Sequence, residues 1–129
     1  MPLAVLGDGD FLMGVTALWA AAHERIPILI IVANNNSYFN DEMHQEAVAK
    51  KRGRPIENRW VGQRIDDPEV DICAISEAQG MSAEGPVDNR AELIAVIKSS
   101  IEKVRHGASL VLEVKVTPEY AFSPIHERK

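Results

Sequence analysis

GDGDFLMGVTALWAAAHERIPILIIVANNN, residues 7–36, decides the fold of this chain. Just upstream, Leu3-Ala4-Val5-Leu6 is a short apolar run that stops at Gly7 and reads as a buried strand. From Asp10 to His23 the apolar residues Phe11, Leu12, Val15, Leu18, Trp19 and Ala22 recur at helical spacing, giving one wide apolar face. After Pro27, Ile28 to Ala33 is apolar on both faces and rich in β-branched residues, the pattern of an interior parallel strand. Strand, helix and strand in about thirty residues form a βαβ unit, and such crossovers are nearly always right-handed.

Downstream, residues 34–67 are polar and irregular, with a short helix expected around Glu42 to Lys51. A loop this long in a small domain is usually functional or disordered. Asp67-Pro68-Glu69 has the form of a helix start, with Asp67 as cap and Pro68 in the first turn. Ile72, Ile75 and Ala78 would mark that helix's inner face and Gly80 its end. Asn89-Arg90-Ala91-Glu92 matches a capping box. The helix after it carries Leu93, Ile97, Ile101 and Val104 on one stripe and stops near Gly107, before a last strand from Leu110 to Val116. The element order predicts an α/β fold, a parallel sheet with helices on both faces.

The chain has 129 residues, enough for one domain with one core. Its net charge of −5 argues against nucleic acid as a partner. A single cysteine, Cys73, excludes an internal disulfide and suits a reducing cytoplasm. The longest apolar run, Ile26 to Ala33, is too short to cross a membrane, and Met1 to Leu6 lacks the features of a signal peptide.

Ligands of open parallel sheets sit beyond the carboxyl ends of the strands. Gly7-Asp8-Gly9 ends one strand and Asn34-Asn35 ends the next, so both tips can face one crevice despite 24 intervening residues. Gly7 and Gly9 would allow a tight turn and close approach of a ligand. The following helix would present free N–H groups to phosphate. Asp8 and an asparagine amide are hard oxygen donors that suit Mg²⁺, which takes few protein ligands together with phosphate oxygens and water. The composite is a Mg²⁺-bridged diphosphate site. A dinucleotide site fits less well, because position 12 is Leu where the third glycine would stand, and Asn34 occupies the place of the ribose-binding acid.

"GDG", 24 residues and "NN" resemble the thiamine-diphosphate motif of the decarboxylase and acetolactate-synthase superfamily. "ALWAAAHERIPILIIVANNNSY" is similar to the corresponding stretch of benzoylformate decarboxylase and acetolactate synthase large-subunit-like proteins. Residues 69–114 have the layout of the rest of their C-terminal diphosphate-binding domain. The resemblance implies that Asp8 and Asn35 ligate Mg²⁺ through their side chains and Ser37 through its backbone carbonyl. It implies that Gly9, Asp10 and Phe11 approach the diphosphate through backbone atoms, beside Gly7 and Tyr38, while Asn34 shapes the turn. Asn36 leaves the asparagine register open by one position; Asn35 is chosen because Tyr38 then falls where relatives often carry an aromatic ring. Asp10 departs from the small residues frequent there and is taken as the helix N-cap, since a second carboxylate beside a diphosphate is unfavourable.

The same resemblance implies a 2-oxo-acid substrate and acetolactate synthase-like carboligation, with benzoylformate decarboxylase-like lyase chemistry as the alternative; a flavin is not expected. The superfamily's pyrimidine-binding domain, which supplies a cofactor-activating glutamate usually across a subunit interface, has no counterpart here. Residues 1–129 are therefore expected to form a partial single domain, N-terminally truncated or one part of a split assembly. It would bind cofactor weakly alone, need a pyrimidine-domain partner, and associate through its exposed sheet edge into a homo-oligomer.

Asp41 and His44 follow the metal loop and are the candidates for proton transfer, against a plain role as polar helix-start residues. "KKRGRP", residues 50–55, resembles a minor-groove hook and is the basis of a reading of another class, a non-catalytic nucleotide- or nucleic-acid-binding module; a solvated basic loop explains it far better, because the surrounding chain is acidic and lacks repeated hooks. His23 should close its helix. Leu12, Met13 and Trp19 are expected in the core or an interface, Trp60 in a lid or subunit contact, and Cys73 as a small buried hydrophobe.

Overall fold

The computed structural model describes residues 1–118; residues 119–129 of the expected domain lie outside the described part. Four parallel strands run β1 (Leu3–Gly7), β2 (Leu29–Asn34), β3 (Ser82–Val87) and β4 (Leu110–Lys115), in the spatial order β1-β2-β4-β3. The helices are α1 (Asp8–Gly14), α2 (Ala17–His23), α3 (Phe39–Lys51), α4 (Ile72–Ala78) and α5 (Arg90–Arg105). The expected α/β sheet is thus present, with helical cover on both faces.

Alternation along the central strands builds the two halves of the core. Ile30 and Val32 of β2 and Val111 of β4 pack with Phe11, Leu18, Ile72 and Met81, so α1, α2 and α4 cover that face. Leu29, Leu110, Leu112 and Val114 point the other way, against Val104, Ile97 and Leu93 of α5. Burying Phe11 alone contributes about 2–3 kcal/mol. On β1, Leu3 and Val5 are paired with Leu29 and Ile31 but remain 57% and 65% exposed, because α5 does not extend over that strand.

Several expectations about helix boundaries, caps and faces are corrected. The helix over residues 10–23 is two helices: α1 starts two residues earlier, at Asp8 with Gly7 as cap, and Val15–Thr16 form a turn before α2. Gly14 followed by two β-branched residues is a weak point in a helix. Asp10 is therefore a first-turn residue and not the N-cap. Residues 66–69 form a turn closed by the Asp66–Glu69 bridge, with a cis Asp67–Pro68 bond, and the cap passes to Asp71, whose carboxylate accepts from Ala74 N–H at 2.8 Å. Ile72 and Ser76, whose hydroxyl donates to the Ile72 carbonyl, are the buried residues of α4, and Ala78 is exposed. Of the residues expected in the core or an interface, Met13 and Trp19 lie outside the core at 71% and 58% exposure, with Trp19 stacked on His23.

The capping box holds in modified form: Asn89 accepts from Glu92 N–H at 2.8 Å and donates its amide to the Glu92 carboxylate at 2.7 Å. Gly80 and Gly107, at φ +90° and +100°, end α4 and α5 as read from sequence. The short helix expected at Glu42 is the 13-residue α3, starting at Phe39. Among the described residues no helix is long and apolar enough to cross a membrane.

Candidate functional site

A cleft of about 480 Å³ opens at the carboxyl end of the sheet, between the tips of β1 and β2, the start of α3 and the residues after β4. Gly7, Asp8, Gly9, Asp10, Asn35, Ser37, Tyr38 and Asp41 all line it, so the two strand tips do share one crevice. Phe11 is not among the lining residues: its ring is 1% exposed in the core. His44 lies elsewhere, on a groove of α3 with Val48, Arg52 and Arg54. The structure therefore separates Asp41 from His44.

At the β1 tip, Asp8 opens α1 at 3% exposure. Burial raises its carboxyl pKa above the ordinary value, and the backbone N–H groups of Asp8, Gly9, Ser37 and Asn35 oppose that rise. Its Oδ2 has no hydrogen-bond partner among the described residues. Neither Gly7 (φ −73°) nor Gly9 needs a left-handed backbone. Gly9 is required by proximity: a Cβ there would overlap the Tyr38 ring.

At the β2 tip the three asparagines diverge. Asn34, buried, donates its amide to Glu113 Oε1 at 2.7 Å while its Oδ1 accepts from Asn36 N–H at 3.0 Å. Asn35 Oδ1 accepts from Ser37 N–H at 3.0 Å. Asn36, at φ +55°, turns its amide toward Glu69. Of the three only Asn35 lines the cleft, which favours the register chosen from sequence.

Behind this turn stand residues the sequence reading passed over. Glu42, fully buried on α3, accepts from the Ser37 hydroxyl and pairs with Arg64 Nε at 2.7 Å. Tyr38 N–H to Gln63 O and Ile65 N–H to Asn36 O, both 2.8 Å, hold residues 63–65 against the turn. Glu113, also buried, faces Lys115 Nζ at 3.4 Å, and Lys115 reaches Glu69 at 2.8 Å. That pairing lowers the Glu69 pKa; for Lys115 desolvation pulls down, yet the bonds to Glu69 and Glu113 leave it raised. The one signal in the sequence was the lone charge in the apolar strand Leu110-Val111-Leu112-Glu113-Val114. Cys73 lies 3.8 Å from Glu113, and burial, with that carboxylate, pushes its thiol up to about 11, so it is no nucleophile at neutral pH.

The charges decide what the cleft can hold. Among the described residues its lining includes three carboxylates, Asp8, Asp10 and Asp41, and no Lys, Arg or His. A bare anion is repelled there, whereas a cation finds a buried oxygen with no partner. Among the described residues no group of three His, Cys, Asp or Glu gathers around a metal position. One carboxylate, one amide oxygen and backbone carbonyls suit Mg²⁺, whose remaining positions go to water and phosphate oxygens. The donor set thus fits a magnesium-bound diphosphate.

A sequence model of the family "Thiamine pyrophosphate enzyme, C-terminal TPP binding domain" matches residues 2–114. Benzoylformate decarboxylase of Pseudomonas aeruginosa is 29% identical over 99 residues, 77% of this chain and 17% of that protein. In fold, the chain resembles the thiamine diphosphate-dependent 4-hydroxybenzoylformate decarboxylase of Rhodococcus jostii RHA1, with a TM-score of 0.67 at 23% identity, over 94% of this chain and 20% of that one. The chain therefore spans about a fifth or less of the length of these relatives. With its parallel sheet and the matched residues running from β1 into β4, the chain belongs to the family of C-terminal thiamine-pyrophosphate-binding domains of thiamine pyrophosphate enzymes.

Proposed function

We propose that this chain forms the diphosphate-binding half of the active site of a 2-oxo-acid decarboxylase of the benzoylformate decarboxylase kind. The named relatives act on aryl 2-oxo acids, which supports that reading ahead of acetolactate synthase-like carboligation. The observation that carries the cofactor site is the buried, partnerless Asp8 Oδ2 at the meeting point of two strand tips.

In this reading Asp8, Asn35 Oδ1 and the Ser37 carbonyl would hold Mg²⁺, whose charge would offset the repulsion between the acidic cleft and a diphosphate. Backbone groups at Gly7, Gly9 and Asp10 would form the floor beside it, with Tyr38 covering Gly9, while Phe11, expected there, packs in the core. Thiamine diphosphate, when bound, supplies a carbon nucleophile for the keto group and an electron sink for the departing carboxylate. Asp41, in the first turn of α3 and on the cleft wall, is placed to hold or deliver a proton; His44, on another groove, is not. The domain is one unit over 1–129, completed by a pyrimidine-binding domain or subunit and assembled as a homo-oligomer.

Calorimetric titration of the chain with thiamine diphosphate, with Mg²⁺ or with EDTA, tests the site. Binding that requires Mg²⁺ and disappears in Asp8→Ala is expected. Equal binding with EDTA, or by the variant, would overturn the assignment.

A further inference from the structure

A carboxylate buried at 3% exposure in an apolar strand needs an account, and Glu113 lies outside the cleft where the cation would sit. It stands on β4, beside the carboxyl end of β2, on the same face as Val32 and Asn34. Its Oε1 accepts from Asn34 Nδ2 at 2.7 Å. Lys115 Nζ at 3.4 Å offsets part of its charge.

An asparagine amide can be turned either way, and its neighbours choose the orientation. A carboxylate only accepts, so Glu113 forces the Asn34 NH₂ toward itself and the Asn34 Oδ1 away. That oxygen accepts from Asn36 N–H at 3.0 Å and closes the turn. Asn36 is held there at φ +55°, a backbone state that asparagine tolerates but does not prefer. The closed turn sets Asn35 against the cleft and directs the Asn35 and Ser37 N–H groups at Asp8.

We propose that Glu113 is a positioning residue for the cation site: its carboxylate sets the orientation of the Asn34 amide, and through it the turn carrying Asn35 and Ser37. The inference rests on the reading of Asp8, Asn35 and Ser37 as the cation site. Glu113 touches neither cation nor substrate; it acts two side-chain bonds behind them.

Hydrogen exchange of assigned backbone amides, measured by NMR on the full chain without cofactor, tests the link directly. Glu113→Gln keeps the volume but lets either amide flip. The Asn36 amide should then exchange about tenfold faster, while the core amides of Ile30 and Val111 keep their protection. The double variant Asn34→Asp/Glu113→Gln exchanges the charge across the pair. The carboxylate at 34 again accepts from Asn36 N–H and the amide at 113 donates to it, so protection should return. A merely structural role would lower protection across the sheet and would not be rescued by the exchange. Unchanged Asn36 exchange in Glu113→Gln, or loss shared equally by Ile30 and Val111, would overturn the proposal.

A second arm measures Mg²⁺ with thiamine diphosphate by calorimetry, where Glu113→Gln should weaken binding about tenfold. Asp8→Ala separates the two claims: it should abolish binding and leave Asn36 exchange unchanged. Failure of the unmodified chain to bind would sink the cation reading, and exchange would still decide whether Glu113 orders the turn.

Discussion

The tips of β1 and β2 face one cleft with opposite chemistry. At β2 the polar side chains are satisfied by the protein itself: Asn34 by Glu113 and Asn36, Asn35 by Ser37, Ser37 by Glu42. At β1 the buried Asp8 keeps one oxygen without a partner. Under the proposed reading, a turn held by internal bonds and set against one unsatisfied carboxylate would act as a preorganised receptor, with little ordering left to be done when a cation arrives. The tip that lacks a bond is the one that provides the charge.

The largest effect should come from removing that charge. Asp8→Asn should weaken Mg²⁺-dependent thiamine diphosphate binding by more than about 100-fold, beyond the range seen when only supporting groups are lost. The same variant should raise the unfolding free energy of the metal-free chain by about 1 kcal/mol, because it deletes a buried, incompletely bonded anion. The pH dependence follows from the sign of the Asp8 shift. Its folded pKa is raised, so between the ordinary carboxylate value and the raised one the folded chain binds more protons than the unfolded chain. The Asp8 contribution to stability is therefore full below that window and lost as pH rises through it. Metal binding runs the other way, strengthening over the same window as the carboxylate ionises. Denaturant titrations at several pH values should show the metal-free slope in the unmodified chain and its absence in Asp8→Asn.

The next effect lies at the satisfied tip. Glu42→Ala removes the acceptor of the Ser37 hydroxyl and the partner of Arg64. Glu42 is fully buried, whereas the Arg64 side chain is 41% exposed and can turn to water. The cost should thus fall below that of breaking a wholly buried pair, at about 2 kcal/mol of unfolding free energy. Faster exchange at Tyr38 N–H, which bonds Gln63 O, would show that the loss loosens the turn. Retained exchange rates at Tyr38 would mean that the ion pair stabilises α3 without ordering the site.

These two tips were unequally legible in the sequence. Asp8 stood out because strand, glycines and carboxylate are adjacent, whereas Asn35 was preferred to its neighbours only through the resemblance, which puts Tyr38 at an aromatic position. The parallel sheet followed from apolar runs of the right length, since periodicity is a local property. The choice among Asn34, Asn35 and Asn36 needed the register of β4, 79 residues away, where Glu113 claims the Asn34 amide. The Glu42–Arg64 pair depends on how residues 52–66 fold back, which no local pattern encodes. The misplaced cap had a similar cause: Asp67-Pro68 and Asp71 both look like helix starts, and the apolar face of Ile72 and Ile75 favours the second. Spacing put Trp19 in the core or an interface, and the structure leaves it outside the core, stacked on His23.

A smaller effect probes the contact between the tips. Gly9→Ala improves helix propensity by about 1 kcal/mol but places a methyl where the Tyr38 ring lies. Displacing that ring should cost about 1–3 kcal/mol, for a net loss of about 1 kcal/mol. The Tyr38 ring signals in an NMR spectrum should shift while those of Trp19, stacked on His23 of α2, stay in place. Unmoved Tyr38 signals would show that the backbone of α1 yields instead.

The smallest effect concerns Asp10, which shares the cleft and the carboxylate of Asp8 but not its burial. Asp8 is enclosed, so its charge acts on a nearby cation through little water. Asp10 is solvated, and its repulsion of an arriving diphosphate is reduced by the high dielectric of water, to about 0.7 kcal/mol at a separation of several ångströms. Asp10→Asn should therefore tighten Mg²⁺–thiamine diphosphate binding about threefold, the opposite sign from Asp8→Asn two residues away. Because the charge is exposed, that gain should shrink as salt is raised toward 1 M, where the screening length is about 3 Å. The loss in Asp8→Asn should change little with salt. A salt-independent effect at Asp10, or weaker binding in Asp10→Asn, would mean that this carboxylate faces the cation as well, and that the β1 tip contributes two ligands instead of one.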